Sequence, residues 1–234
     1  MLHLLDPNDD TTPFPEVTEA LRQPDGLLAV GGCLSSRRLL NAYRHGIFPW
    51  YSDGEPILWW SPDPRLVLFP ERMRISRSLR KTLRRGVFRL TTDAAFRQVM
   101  QACAEPRSDG AGTWITGEMI EAYVELHARG YAHSVEAWCG ERLVGGVYGV
   151  ALGQVFFGES MFSRMTDASK VALAHLVDRL LAWGYRLVDC QVRTDHLLSL
   201  GAEEIPRARF AELLRQWCDL PSTADAWHAP ELVP

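Results

Sequence analysis

The stretch between residues 133 and 192 constrains this chain more than any other. Three short apolar runs, 133–138, 143–150 and 155–157, are joined by Gly-containing turns, the pattern of a strand meander. Asp167 then stands before a helical run, 168–183, that ends at Gly184. A further strand-like run, 185–192, leads into a short helix ending at Gly201. Upstream, Asp93 is placed to cap a helix reaching about residue 104, and Thr116 to cap another that stops at Gly130. Downstream, Pro206 opens a last helix to about residue 218. Two helices, a meander, a helix, a strand and a helix predict a mixed α/β core.

The chain before this core is different in character. Its first 15 residues, rich in Pro, Asp and Thr, predict an irregular lead-in. Ser35 or Ser36 is placed to cap a short helix, 37–45, that stops at Gly46. Next come Ile47-Phe48-Pro49-Trp50-Tyr51 and Ile57-Leu58-Trp59-Trp60-Ser61-Pro62, dense in aromatics and punctuated by Pro62 and Pro64. The expected division is a small N-terminal domain, 1–62, and a larger domain, 63–234. The element order of the larger one resembles the acyltransferase fold of the GCN5-related N-acetyltransferases, with Leu143-Val144-Gly145-Gly146 as its central strand. Fold alone would not fix function.

Some classes are excluded. No apolar run approaches the ~18 residues of a membrane span, and residues 1–10 lack the features of a signal peptide. The five cysteines are scattered, with no Cys-x-x-Cys pair, so they read as reduced thiols and the expected compartment is the cytoplasm. His45, His133, His175 and His196 show no metal-like spacing, and no metal is assigned. Asp195-His196 lacks a serine in a Gly-x-Ser-x-Gly elbow, which leaves it a helix-start role.

Net charge, −4, gives no hint of nucleic acid, but its distribution does. Arg72, Arg74, Arg77, Arg80, Lys81, Arg84, Arg85 and Arg89 put eight cations in eighteen residues without one acid. Spacings of three and four gather Arg77, Arg80, Lys81 and Arg84 near one helical face, where like charges repel unless a polyanion answers them. Such a run is either a nucleic-acid contact or a solvated face.

Three further features can carry chemistry. In the apolar strand Leu187-Val188-Asp189-Cys190-Gln191-Val192, period two sends Asp189 and Gln191 to one face. A carboxylate and an amide there must find partners or pay a desolvation cost, so they either act or brace the backbone. Glu159 follows another apolar run and offers the same two choices. Trp50, Trp59, Trp60 and Trp114 either line a pocket or pack a core. Arg107–Gly112 has the letters of an acetyltransferase pyrophosphate loop, but in the wrong place. The expected slot reads Gly158–Arg164 and holds an acid, so coenzyme A is not expected.

Taken in order, Gly26–Gly32, Gly46–Trp50, Leu58–Arg65, Gly112–Thr116, Gly145–Val150, Gly158–Arg164, Ala168–Lys170 and Asp189–Gln191 resemble the leucyl/phenylalanyl-tRNA–protein transferase family. The match runs from about residue 24 to 207. It implies an enzyme that moves Leu, Phe or Met from aminoacyl-tRNA to proteins with N-terminal Arg or Lys, marking them for N-end-rule degradation. It also implies a monomer that needs no cofactor. By the same resemblance Asp189, Gln191 and Glu159 fall at the reacting centre. Trp50, Trp114, Tyr123, Phe156 and Val188 fall at the donor side-chain pocket, as do Val147 and Leu176. With it, the basic run is read as tRNA-binding through Arg74, Arg77, Arg80, Lys81, Arg84 and Arg85. Gln191 is assigned to orienting the amine or ester. Asp189 would fix Gln191 or accept the amine's proton, and Glu159 would bind the acceptor's cationic end.

Overall fold

The computed structural model describes residues 2–106, 114–223 and 226–227. Their chain order is β1 (His3–Leu5), β2 (Leu27–Gly31), α1 (Ser36–Arg44), β3 (Phe48–Pro49), β4 (Leu58–Trp60), β5 (Arg65–Leu68), α2 (Arg77–Arg84), β6 (Arg89–Thr92), α3 (Phe96–Ala104) and α4 (Gly117–Ala128). There follow β7 (Ala132–Cys139), β8 (Arg142–Leu152), β9 (Val155–Ser163), α5 (Ala168–Ala182), β10 (Leu187–Gln191), α6 (Asp195–Ser199), β11 (Glu203–Ile205) and α7 (Arg207–Trp217).

Two sheets result. A small one has the order β1-β2-β4-β3, and a larger one the order β11-β5-β10-β9-β8-β7-β6. β7, β8 and β9 form the expected antiparallel meander, and α5 carries the chain across to β10, which pairs parallel with β9. The larger sheet therefore has the mixed α/β element order read from the sequence. α5 lies against one face, burying Val171, Leu173, Leu176, Val177 and Leu180. Full burial of each Val or Leu contributes roughly 1.5–3 kcal/mol. Gly145 on β8 lets α5 approach, since a Cβ there would stand 2.6 Å from that of Ala168. The opposite face packs against α3 and α4 in a core that also takes in Leu28, Tyr43, Phe48 and Trp59 from the small sheet and α1.

Helix starts mostly follow the sequence. The hydroxyls of Ser35 and Thr116 cap α1 and α4 by accepting from Arg38 N–H and Met119 N–H. Two expected caps fail, both at left-handed aspartates. Asp93 (φ 57°) accepts from the N–H of Ser134 and meets the His133 ring, so α3 begins only at Phe96. Asp167 (φ 66°) precedes α5, but its carboxylate is taken by Thr82 and Lys170. The run after Phe157 also differs from expectation. Residues 158–163 continue β9 as strand, so Glu159 lies inside the sheet and not in a strand-to-helix loop.

Candidate active site

β9 and β10 run side by side, with Phe156 opposite Val188 and Phe157 opposite Asp189. Strand alternation places Phe156 and Val188 beneath α5, in one cluster with Val147 and Leu176. The expected alternation of β10 then breaks. A bulge against β5 falls between Asp189 and Gln191, and Gln191 adopts φ 63°. Cys190, Gln191 and Val192 consequently line a cavity of about 600 Å³, whereas Asp189 lies fully buried behind it.

The cavity has apolar walls from Phe48, Trp50, Trp114, Met161 and Phe162. Trp50 stands at the mouth, 45% exposed, with its ring 5.8 Å from that of Trp60. The polar groups include Glu159, Gln191 and Ser160, with Glu105, Ser163 and Ser169 and, toward α6, Thr194 and His196. Of the donor-pocket positions implied by the resemblance, Trp50 and Trp114 therefore reach this space. Tyr123 is buried beneath Glu159, and Phe156 and Val188 lie on the far face of the sheet.

Among the described residues, Glu159 is held by neutral donors alone. Tyr43 Oη donates to Oε1 at 2.8 Å, Gln191 Nε2 to the same atom at 2.7 Å, and Tyr123 Oη to Oε2 at 3.3 Å. The Tyr43 and Tyr123 hydroxyls also meet each other. Burial raises the Glu159 carboxyl from 4.5 to about 7, with the Asp189 charge adding to the rise and the bonds from Tyr43, Tyr123 and Gln191 opposing it. A carboxyl in this range can take or give a proton near neutrality.

Asp189 has a different shell. Arg65 Nε donates to its Oδ1 at 2.8 Å and Nη2 to its Oδ2 at 2.7 Å, and both side chains are almost wholly buried. The backbone N–H of Gln191 donates to Oδ1 at 3.0 Å. Arg65 Nη1 donates to the carbonyl of Gly46 at 3.1 Å, and the guanidinium lies between the rings of Phe48 (4.8 Å) and Phe210 (4.7 Å). The expectation that Asp189 and Gln191 share one face is thus corrected, because the bulge turns Gln191 toward the cavity and leaves Asp189 behind it.

Tyr43 and Arg65 were missed by sequence reasoning. Arg65 closes the family-like segment Leu58–Arg65, and its distance of 124 positions from Asp189 hid the pairing. Tyr43 carried no signal beyond its place on a helix. Arg74, Arg77, Arg80, Lys81, Arg84 and Arg85 are all exposed, on or beside α2, and none forms an ion pair among the described residues. Arg72 differs, since it pairs with Glu203. Leu79 is the buried residue of α2. Asp93, His127 and His133 come together elsewhere, but His127 Nδ1 is engaged with the Ala132 carbonyl and Asp93 with Ser134 N–H and His133. The Arg107–Gly112 letters lie outside the described residues.

Comparison with known proteins agrees with the resemblance. The family model described as leucyl/phenylalanyl-tRNA protein transferase matches residues 67–215, and that of its N-terminal domain matches residues 32–63. A leucyl/phenylalanyl-tRNA–protein transferase from Methylococcus capsulatus is 60% identical over 231 residues, 98% of each chain. One from Nitrosomonas europaea is 60% identical over 217 residues, 93% of this chain and 92% of its own. Among solved structures, a GCN5-related N-acetyltransferase from Kribbella flavida is similar at a TM-score of 0.38 and 12% identity, over 69% of this chain and 58% of that one.

Proposed function

The chain belongs to the leucyl/phenylalanyl-tRNA–protein transferase family, aminoacyltransferases that move Leu or Phe from aminoacyl-tRNA to the N-terminal Arg or Lys of proteins, and from that premise we propose how its site performs the transfer. The observation that carries the proposal is the Glu159–Gln191 pair facing an apolar-walled cavity.

The donor is an ester between an amino acid and a tRNA ribose hydroxyl, already activated, so no ATP is consumed. The acceptor's α-amine, with an ordinary pKa of roughly 7.7–8.0, is partly free base near neutrality. Its nitrogen attacks the ester carbonyl, the new amide bond forms, the bond to the ribose oxygen breaks, and the amine's proton ends on that oxygen. Holding amine and ester in attack geometry supplies most of the acceleration. Gln191 orients the amine: with Nε2 committed to Glu159, Oε1 remains to accept a hydrogen bond from it. Glu159 takes the proton on its way to the leaving group, a role its carboxyl near 7 suits better than pairing with the acceptor's cationic end. Asp189 fixes Gln191 and does not receive the proton, because it lies behind the cavity that Glu159 and Gln191 line and is gripped there by Arg65.

The donor side chain seats against Trp50, Trp114, Met161 and Phe162, which extends the preference to Met. The free cations of α2 track the tRNA backbone. Residues 1–62 form the N-terminal domain and 63–234 the catalytic one, a division on whose two sides the two sheets fall. The protein acts as a cytoplasmic monomer in N-end-rule turnover, and no helix among the described residues is long and apolar enough to cross a membrane. The test is transfer of labelled Phe from Phe-tRNA to a peptide beginning with Arg, without ATP or coenzyme A. Transfer is expected in the wild type and at least about tenfold less with Gln191→Ala. Wild-type turnover by a folded Gln191→Ala protein would remove the proposal's centre.

A further inference from the structure

We infer that Arg65 is the positioning residue of the reaction, setting the catalytic side chain of Gln191 through Asp189. The inference rests on the proposed role of Gln191 in orienting the amine. Gln191 sits at a strand bulge with φ 63°, a region that a residue with a side chain occupies only when its surroundings over-determine it. Its side chain is bonded to Glu159 and its backbone pairs with Leu66 of β5, while the backbone N–H at the bulge itself is taken by Asp189 Oδ1. That oxygen is itself fixed, since Arg65 grips both carboxylate oxygens in a planar fork.

Arg65 is fixed in turn on its remaining sides. Its third nitrogen is bonded to Gly46 O, just past the end of α1, and its two faces are covered by Phe48 of β3 and Phe210 of α7. Gly46 comes this close only because it lacks a side chain, since a Cβ there would stand 2.8 Å from the Phe210 ring and its φ is 74°. The small sheet, α1, α7 and β10 thus meet on one guanidinium directly behind the cavity. Stability alone does not account for this pair. A buried Arg–Asp pair roughly breaks even against apolar residues of the same volume, whereas geometric control needs charge and direction together. Lysine would not substitute: one ammonium lacks the flat fork and the two stacking faces.

The test is steady-state transfer from Phe-tRNA to an Arg-initiated peptide by wild type, Arg65→Lys, Gln191→Ala and the double variant, each checked by thermal melting. Arg65→Lys is expected to melt cooperatively and keep the KM for Phe-tRNA within about twofold, while kcat falls at least about tenfold. The double variant is expected to be no slower than Gln191→Ala alone, because both changes remove one function. A purely structural Arg65 would instead multiply its loss with that of Gln191→Ala, and that result overturns the inference. So does a folded Arg65→Lys with wild-type kcat, or one whose whole defect lies in KM. If Arg65→Lys fails to fold, Asp189→Asn is measured in its place. It keeps the shape and one acceptor oxygen, and the same kcat loss and non-additivity are expected. Undiminished turnover by Gln191→Ala would sink the reading of the site and this inference with it. A slow Gln191→Ala beside an unimpaired Arg65→Lys sinks the inference alone.

Discussion

Glu159→Gln should change how the protein's stability depends on pH. Burial raises this carboxyl from 4.5 to about 7 in the folded chain, while the unfolded chain titrates near the ordinary value. Between those values the native state keeps a proton that the unfolded state has lost, so stability falls as pH rises through the interval. The contribution is fully present below about pH 4.5 and gone above about pH 7. At about 1.4 kcal/mol per pH unit, the loss between pH 5 and pH 8 is about 2–3 kcal/mol. Glu159→Gln removes the titration while keeping similar shape, and every other titrating group is common to both proteins. The difference in unfolding free energy between wild type and variant should therefore move by that amount in the variant's favour from pH 5 to pH 8. Urea unfolding at pH 5, 6.5 and 8 measures it by linear extrapolation. A difference that stays constant within about 0.5 kcal/mol would refute the placement of a protonated Glu159 among Tyr43, Tyr123 and Gln191. Activity should move with it. The rise of kcat/KM through pH 7 should disappear in Glu159→Gln, leaving the rise near 8 that belongs to the acceptor amine.

Asp189→Ala should lose roughly 3–5 kcal/mol of stability as well as activity, since it strands a buried guanidinium, and urea unfolding will show it. A loss under 1 kcal/mol would mean that Arg65 finds another partner. Arg80→Glu with Arg84→Glu should raise KM for charged tRNA and flatten the salt dependence, by roughly 0.7–0.9 in log–log slope for each phosphate no longer neutralised. Transfer from an aminoacyl-adenosine should be unchanged, and an equal fall with both donors would move the tRNA-binding surface away from α2. Trp114→Ala should weaken Leu and Phe transfer in competition among charged tRNAs without admitting Val. One methylene is worth only ~1–3 kcal/mol in such a pocket, so the preference is graded. A charged donor that matched Phe would exclude an apolar pocket.

The parts of the fold that were legible in the sequence are those specified by near neighbours. The Ser35 and Thr116 caps lie three residues from the N–H groups they accept from, and the meander is written in apolar runs broken by glycine turns. The failures share a physical origin. Asp93 and Asp167 have the chemistry of caps, but their carboxylates are drawn to side chains and to another strand's backbone: Asp93 to His133 and the Ser134 N–H of β7, Asp167 to Thr82 of α2 and the Lys170 ammonium of α5. β5 is short and lies against Pro64, so period-two reasoning had only four residues to act on, yet it supplies the partner of Asp189. The bulge at Gln191 has no mark in the sequence, because the residue that adopts the left-handed backbone is not a glycine.

That bulge also decides how two carboxylates on neighbouring strands divide their work. Asp189 and Glu159 both lie in apolar strands, and composition treats them alike. Their partners do not. Asp189 faces a guanidinium that matches its charge and both of its oxygens. Glu159 faces two hydroxyls and an amide, none of which carries charge to offset its desolvation. The first environment fixes the carboxylate's place and direction, which suits a group that must not move. The second leaves the proton free to come and go near neutral pH, which suits a group at a reacting amine. Gln191 touches both, through its backbone to Asp189 and through its side chain to Glu159. It can therefore be rigid at one end and responsive at the other.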